Sequence, residues 1–291
     1  YLIGKETVGR SAGWIAVTLA AMAYWPNVIT RVGLRFSLYP LFTAAVLYYL
    51  LRGLRTQRRN DFILAGLALG VGLHTYTPIR ILPFVVLVAI GLYWLHQRHP
   101  IQRRQALVGL LIVGIISFVV FLPLGRYALE HPDKFAFRAF SRLGDWEQPL
   151  AAPAWQVFLQ NLWNALRMFN WDNGEVWPVS VPFRPALDAV TGAFFILGVL
   201  LTGLRYLRQR RWQDLFLLLS IPLLMLPSIL ALAFPSENPT LNRTGAAMIP
   251  VFVVAGLGLF SFIDSLRPKM GGSRGLVTAT AVGAVLRVLA A

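Results

Sequence analysis

Four short polar stretches hold the side chains best suited to chemistry, and three of them are built around arginine. Residues 74–80 read His-Thr-Tyr-Thr-Pro-Ile-Arg between two apolar runs. Arg80 is either a side chain stretching its charge toward lipid headgroups or an anchor for a lipid phosphate. A guanidinium meets a phosphate through two parallel hydrogen bonds, and at ~4 Å the attraction is about 4 kcal/mol for an effective dielectric near ~20. His74 reads as a hydrogen-bonded packing residue rather than a metal ligand, because no second ligand stands at helical spacing. Residues 235–243, Pro-Ser-Glu-Asn-Pro-Thr-Leu-Asn-Arg, make a tight polar loop before another apolar run. Arg243 opens that run, where a helix N-terminus adds potential favourable to an anion. Glu237 is an acid or base, a metal ligand or a plain turn residue. In Trp171-Asp172-Asn173-Gly174-Glu175 two carboxylates flank a glycine turn. They suit a cation or sugar hydroxyls, and equally a bare surface turn. Arg31 and Arg35, after Trp25-Pro26-Asn27, face the same choice as Arg80.

No Ser/His/Asp constellation emerges from spacing, and His131 beside Glu130 and Asp133 is an ordinary polar loop. The absence of cysteine excludes disulfides, thiol catalysis and Cys-ligated metals. A net charge of +15 invites nucleic acid as a partner. The basic residues argue against it, because they fall in short clusters between apolar runs and form no continuous face. Of 291 residues, 57% are hydrophobic and 13% charged, against about 25% charged in soluble domains. So few charges cannot cover a soluble body of this size, but they can cover loops outside a membrane. The expected partners are therefore membrane lipids.

The elements that must position these residues are hydrophobic helices. A spanning helix needs about 20 mostly apolar residues, and candidates fall near 11–29, 36–52, 62–78, 81–96, 105–125, 187–205, 213–234, 244–264 and 275–291. The fold expected is an all-α transmembrane bundle of about nine spans, the last incomplete and carrying Arg287. Short basic connections alternate with others. One set holds Lys5 and Arg10; Arg52, Arg55, Arg58 and Arg59; Arg98, Arg103 and Arg104; Arg205, Arg208, Arg210 and Arg211; Arg267, Lys269 and Arg274. Under strict alternation all of them fall on one side, which the positive-inside rule makes cytoplasmic. The chain reads as a multi-pass plasma-membrane protein whose working face is extracytoplasmic.

That outer face receives the longest connection, so the chain divides into spans over 1–125, an outer loop over 126–186, and spans over 187–291. The loop holds Trp146, Trp155, Trp163, Trp171 and Trp177, which argues against disorder. Within 153–168 the apolar residues Trp155, Phe158, Leu159, Leu162, Trp163 and Leu166 recur at helical spacing, predicting a helix lying in the membrane interface. Gly66, Gly70 and Gly72 form no phosphate loop, since no Lys-Ser/Thr follows. They read as small residues that let membrane helices pack closely. Beginning at Tyr1 beside an apolar stretch, the chain reads as a piece of a longer one.

Taken together, four stretches resemble the bacterial family 39 glycosyltransferases, relatives of the dolichyl-phosphate-mannose protein mannosyltransferases. They are GLALGVGLHTYTPIRILPFVV, YALEHPDKFAFRAF, MFNWDNGEVWPVSVPFRPALDAVTGAFFILGVL and LPSILALAFPSENPTLNRTGAAMIPVFVVAGLGL, lying within 62–264. The resemblance implies the GT-C architecture and an enzyme that moves a mannose-like sugar from a polyprenyl-phosphate carrier to an acceptor hydroxyl, on a lipid or a protein. It implies that Arg80 and Arg243 contact the lipid phosphate, with Tyr76 and Asn238 at the donor site. Asp172, Glu175, Glu237 and His74 are candidate cavity-lining residues. The catalytic carboxylate of such enzymes lies in a first outer loop, expected upstream of Tyr1. Asp-Asn-Gly-Glu stands here where the family has a Gly-Asp turn. The donor is the lipid-linked sugar, no metal ligand set is assigned, and a divalent ion stays open. The competing readings are a transporter or flippase, and an O-antigen polymerase or ligase type of protein.

Overall fold

The computed structural model describes residues 1–144 and 147–266. Twelve α-helices account for most of them, and no strand occurs among the described residues. They are α1 (Leu2–Thr7), α2 (Arg10–Met22), α3 (Tyr24–Arg31), α4 (Leu38–Thr56), α5 (Arg59–Leu73), α6 (Leu82–His96), α7 (Pro100–Glu130), α8 (Pro132–Leu143), α9 (Ala154–Arg167), α10 (Ala189–Gln209), α11 (Trp212–Ile229) and α12 (Met248–Leu266).

Among the described residues, five segments are long and apolar enough to cross a membrane: Thr77–His96, Pro100–Glu130, Ala189–Gln209, Trp212–Ile229 and Gly245–Leu266. A sixth is formed if α2 and α3 count as one span bent by 52°. The sequence reading of about nine is thus supported for five or six. Helix α5 rises only about 22 Å at ~1.5 Å per residue, less than the ~30 Å hydrocarbon core. Tyr39, Tyr48, Tyr49, Arg52 and Arg55 dilute the apolar character of α4. The candidate span 275–291, the basic residues 267–274 and Trp146 lie outside the described residues.

The expected first span, 11–29, is broken because Pro26 has no N–H for the carbonyl four residues back, and its ring crowds that carbonyl. The chain accordingly turns between Met22 and Tyr24. At the break Asn27 Nδ2 donates to the carbonyls of Ala21 at 3.0 Å and Ala23 at 2.8 Å. Elsewhere the small residues do what their spacing suggests. Gly66 and Gly70 on α5 let Val113, Ile116, Ser117 and Val120 of α7 approach so closely that a Cβ would collide. The outward side of α7, including Leu111, Ile115 and Phe118, stays exposed for lipid.

The bundle has two chemically distinct ends. At one, Arg55 holds Glu6 through two hydrogen bonds of 2.6 and 3.0 Å, Arg205 lies 3.2 Å from Asp214, and Arg211 donates to the Thr7 carbonyl at 3.0 Å. The described basic clusters gather at this end, as strict alternation requires. The other end collects α3, α8, α9 and the loops after α5, α9 and α11. Trp25, fully buried, donates to the Leu241 carbonyl at 3.0 Å, and Tyr39 donates to that of Leu224 at 2.9 Å.

The long connection is folded. Helix α7 runs past the expected end at 125 to Glu130, and α8, absent from the sequence reading, follows at once. Helix α9 covers the predicted amphipathic segment. Val157, Asn161 and Ala165 face the bundle, while Trp155, Leu159, Trp163 and Leu166 are exposed along one stripe. Beyond it the chain doubles back, with Ala186 and Leu187 donating to the carbonyls of Met168 (2.8 Å) and Phe169 (3.1 Å).

Candidate functional site

Helix α5 ends at Leu73, and Pro78 starts a 3-10 turn, Thr77–Ile81, that presents Arg80. Proline fits the first positions of such a turn because its missing N–H is not needed there. On the facing side Arg142 sits at the end of α8, and its carbonyl accepts from the Ala233 N–H at 3.1 Å. Arg243 precedes the 3-10 turn Gly245–Ala247 that leads into α12. Arg35 lies in the turn before α4.

All four arginines line one cavity of about 560 Å³, with Phe36, Tyr76, Ile81, Leu143, Leu230 and Asn242 among its walls. The size and the mixture of apolar wall with a few polar groups are those of a small-molecule site. The arginines are held at their flanks and open toward the cavity. Arg80 stacks 3.9 Å above the Phe135 ring and donates to that residue's carbonyl at 3.3 Å, while its buried Nε has no partner. Arg142 stacks 3.8 Å above Phe234. Tyr76 packs 5.1 Å from Phe36, lies 5.8 Å from the Arg35 guanidinium, and accepts a hydrogen bond from Asn242 at 3.1 Å.

Among the described residues, no acidic side chain lines the cavity. Glu237, from the adjoining loop, pairs with Arg243 through one oxygen. Its other oxygen lies 3.2 Å from Arg142 Nη1, without hydrogen-bond alignment. One carboxylate against four guanidiniums leaves a strongly positive cavity, and low-dielectric walls strengthen its field.

Residues 1–124 match the family model of the dolichyl-phosphate-mannose-protein mannosyltransferases. No curated protein matches the chain. The matched stretch contains Arg35, Phe36 and the whole Tyr76–Arg80 turn, so it supplies one side of the cavity. Arg142, Asn242 and Arg243 lie beyond it. Of the four stretches that carry the resemblance, only the first, 66–86, falls inside the match. The similarity is to a mannosyltransferase family of GT-C type, and it does not single out the bacterial family 39 members. The apolar helices and this match together mark a membrane protein that is mannosyltransferase-like over its first 124 residues.

The other sequence candidates divide. Asp172, Glu175 and Asn238 line a second cleft of about 190 Å³, with Asn164, Arg167, Ser236 and Phe183. Asn238 is buried and fully engaged, accepting from Ser228 at 2.8 Å and donating to the Asn161 carbonyl at 2.8 Å. It therefore anchors its loop to α9 and α11. The loop 235–239 separates the two clefts. Pro235, Ser236, Asn238 and Pro239 line the second, and Glu237 pairs with two arginines of the first. His74 lines neither cleft and donates from Nε2 to the Val120 carbonyl at 2.9 Å. Arg31 is exposed at the end of α3. Among the described residues no group of three His, Asp or Glu side chains is placed to hold a metal ion.

Sequence reasoning missed Arg142. Its signal was weak, since it lies in a mixed-charge segment that resembled any polar loop. The amphipathic pattern of 132–143 was the available clue.

Proposed function

We propose that the arginine cavity holds the phosphate of a polyprenyl-phosphate sugar, and that the chain is part of a membrane glycosyltransferase using this donor. The observation that carries the reading is the convergence of Arg35, Arg80, Arg142 and Arg243 on one cavity that also has apolar walls. A phosphate meets the guanidiniums, and the first prenyl units meet Phe36, Ile81, Leu143 and Leu230. A mannose-like sugar is the reading that the family match favours.

In the reaction the acceptor hydroxyl oxygen attacks the sugar C1 and the bond from C1 to the phosphate oxygen breaks. The electron pair leaves with the phosphate, and the hydroxyl proton passes to a base. Negative charge grows on the departing phosphate and the arginines stabilise it, Arg80 and Arg142 from positions fixed by stacking on Phe135 and Phe234. The second cleft, with carboxylates, amides and an aromatic ring, suits the hydroxyl-bearing acceptor. The denser basic clusters at the opposite end support an extracytoplasmic arginine cavity, through the positive-inside rule. The transporter reading draws on the broken pair α2–α3, but no Asp, Glu, Lys, Arg or His stands at that break, around Ala23.

The test is sugar transfer from a polyprenyl-phosphate donor with Arg243→Ala and Arg80→Ala introduced into the full-length protein. Loss of one fixed donor to a developing anion costs on the order of 100-fold in turnover. Unchanged turnover in both variants rules the assignment out.

A further inference from the structure

The basic end of the bundle carries a groove that the sugar-transfer reading does not use. It has a volume of about 370 Å³ and lies between the start of α5 and the first turns of α7. Ile101, Arg104, Gln105, Val108, Gly109 and Ile112 present one face of α7 to it, and Arg59 and Phe62 come from α5. Phe62 is buried and forms the floor, its ring so close over Gly109 that a Cβ there would collide. Ile101 and Val108 are exposed along the wall, in line with the lipid-facing Leu111 and Ile115 further along α7.

The charges at this end are unevenly satisfied. Glu6 is held by Arg55. Asp61 lies 3.5 Å from Arg52 and accepts from Thr56 at 2.9 Å. Asp214 is taken by Arg205. Arg59 and Arg104 are exposed and have neither an ion pair nor a hydrogen bond among the described residues. Two guanidiniums without counter-ions therefore stand at one groove whose floor and far wall are hydrocarbon.

We infer that this groove binds the headgroup of an anionic phospholipid, with the phosphate between Arg59 and Arg104 and an acyl chain along Val108 and Ile112. A free phosphate matches the arginines but not the apolar wall, and a zwitterionic lipid brings its own cation to the pair. Basic pockets between membrane helices are suited to such headgroups. Simple snorkelling predicts two arginines acting independently, whereas the shared groove predicts one stoichiometric lipid.

The test uses the whole chain, purified in detergent and titrated with phosphatidylglycerol or phosphatidylcholine. Bound lipid is counted by native mass spectrometry, and thermal stabilisation is followed in parallel. Phosphatidylglycerol is expected to bind at one copy and to stabilise, and phosphatidylcholine to do neither. Arg59→Gln with Arg104→Gln weakens phosphatidylglycerol binding roughly thirtyfold, while Arg10→Gln, an exposed arginine at the same end, leaves it unchanged. Val108→Trp fills the wall and lowers lipid binding with both arginines present. Equal binding of the two lipids, or equal losses in the Arg10 and paired variants, overturns the site. If inorganic phosphate protects as well as phosphatidylglycerol and Val108→Trp changes neither, the lipid assignment is wrong. None of these readouts depends on sugar transfer.

Discussion

Asn242 donates its side-chain amide to the Tyr76 hydroxyl at 3.1 Å, across 166 residues of chain. The contact joins the turn that presents Arg80 to the loop that presents Arg243, so the two halves of the arginine cavity are tied by one hydrogen bond. Tyr76→Phe removes the acceptor and leaves the Asn242 amide without it. The expected cost is about 1 kcal/mol, read as a fall of about 2–4 °C in thermal unfolding. The KM for a polyprenyl-phosphate donor should rise more than kcat falls, because positioning is lost and no reacting group is.

Glu237 pairs with two of the four arginines, Arg142 and Arg243. A phosphate entering the cavity must compete with that carboxylate. Glu237→Gln removes the competition while keeping the shape, so the affinity for an anionic polyprenyl phosphate should increase severalfold. Thermal stability without donor should fall by about 1–3 kcal/mol, because charge-assisted contacts are lost. Equilibrium binding and unfolding of the same variant check both signs.

Gly174 brings the Asp172–Glu175 turn against the loop of residues 235–239. Its φ of +88° is costly for other residues, and a Cβ would lie 2.5 Å from the Pro239 carbonyl oxygen. Gly174→Ala should destabilise by about 1–3 kcal/mol and pry the second cleft open. Cross-linking yield between cysteines introduced at positions 175 and 236 should fall in this background.

The stripe Trp155, Leu159, Trp163 and Leu166 on α9 is exposed, while Val157, Asn161 and Ala165 of the same helix are buried against the bundle. Tryptophan belongs at the headgroup level of a bilayer. In vesicles, lipids brominated near the headgroup should quench Trp155 and Trp163 more strongly than lipids brominated at the chain ends. This is best measured with the other tryptophans replaced. Equal quenching by both would remove α9 from the interface.

The membrane body was legible in the sequence because its determinants are local. Runs such as 105–125 carry their hydropathy in consecutive residues, and the basic clusters mark alternate connections without reference to contacts. The same locality exposed the glycines of α5 and the period of α9. It also set the limits of the reading. Segments 36–52 and 62–78 look like spans by composition, yet α5 is too short and α4 too polar to meet that description unaided. The bend at Ala23 follows from Pro26, but the side chain that bridges the Ala21 and Ala23 carbonyls there, Asn27, becomes apparent only in the folded helix pair.

The cavity was decided elsewhere. Arg80 and Arg243 stood out in the sequence because each adjoins an apolar run, and that exposes an uncompensated charge. Nothing local assigned Arg142 to them or separated Asn238 from them. Those outcomes depend on how α8 folds back beneath Phe234 and on which way successive residues of the 235–239 loop point. Hydropathy and charge order are additive along a chain, so the sequence alone establishes a membrane bundle with a basic end. The meeting of four guanidiniums depends on packing between segments more than a hundred residues apart, and only the tertiary structure determines it.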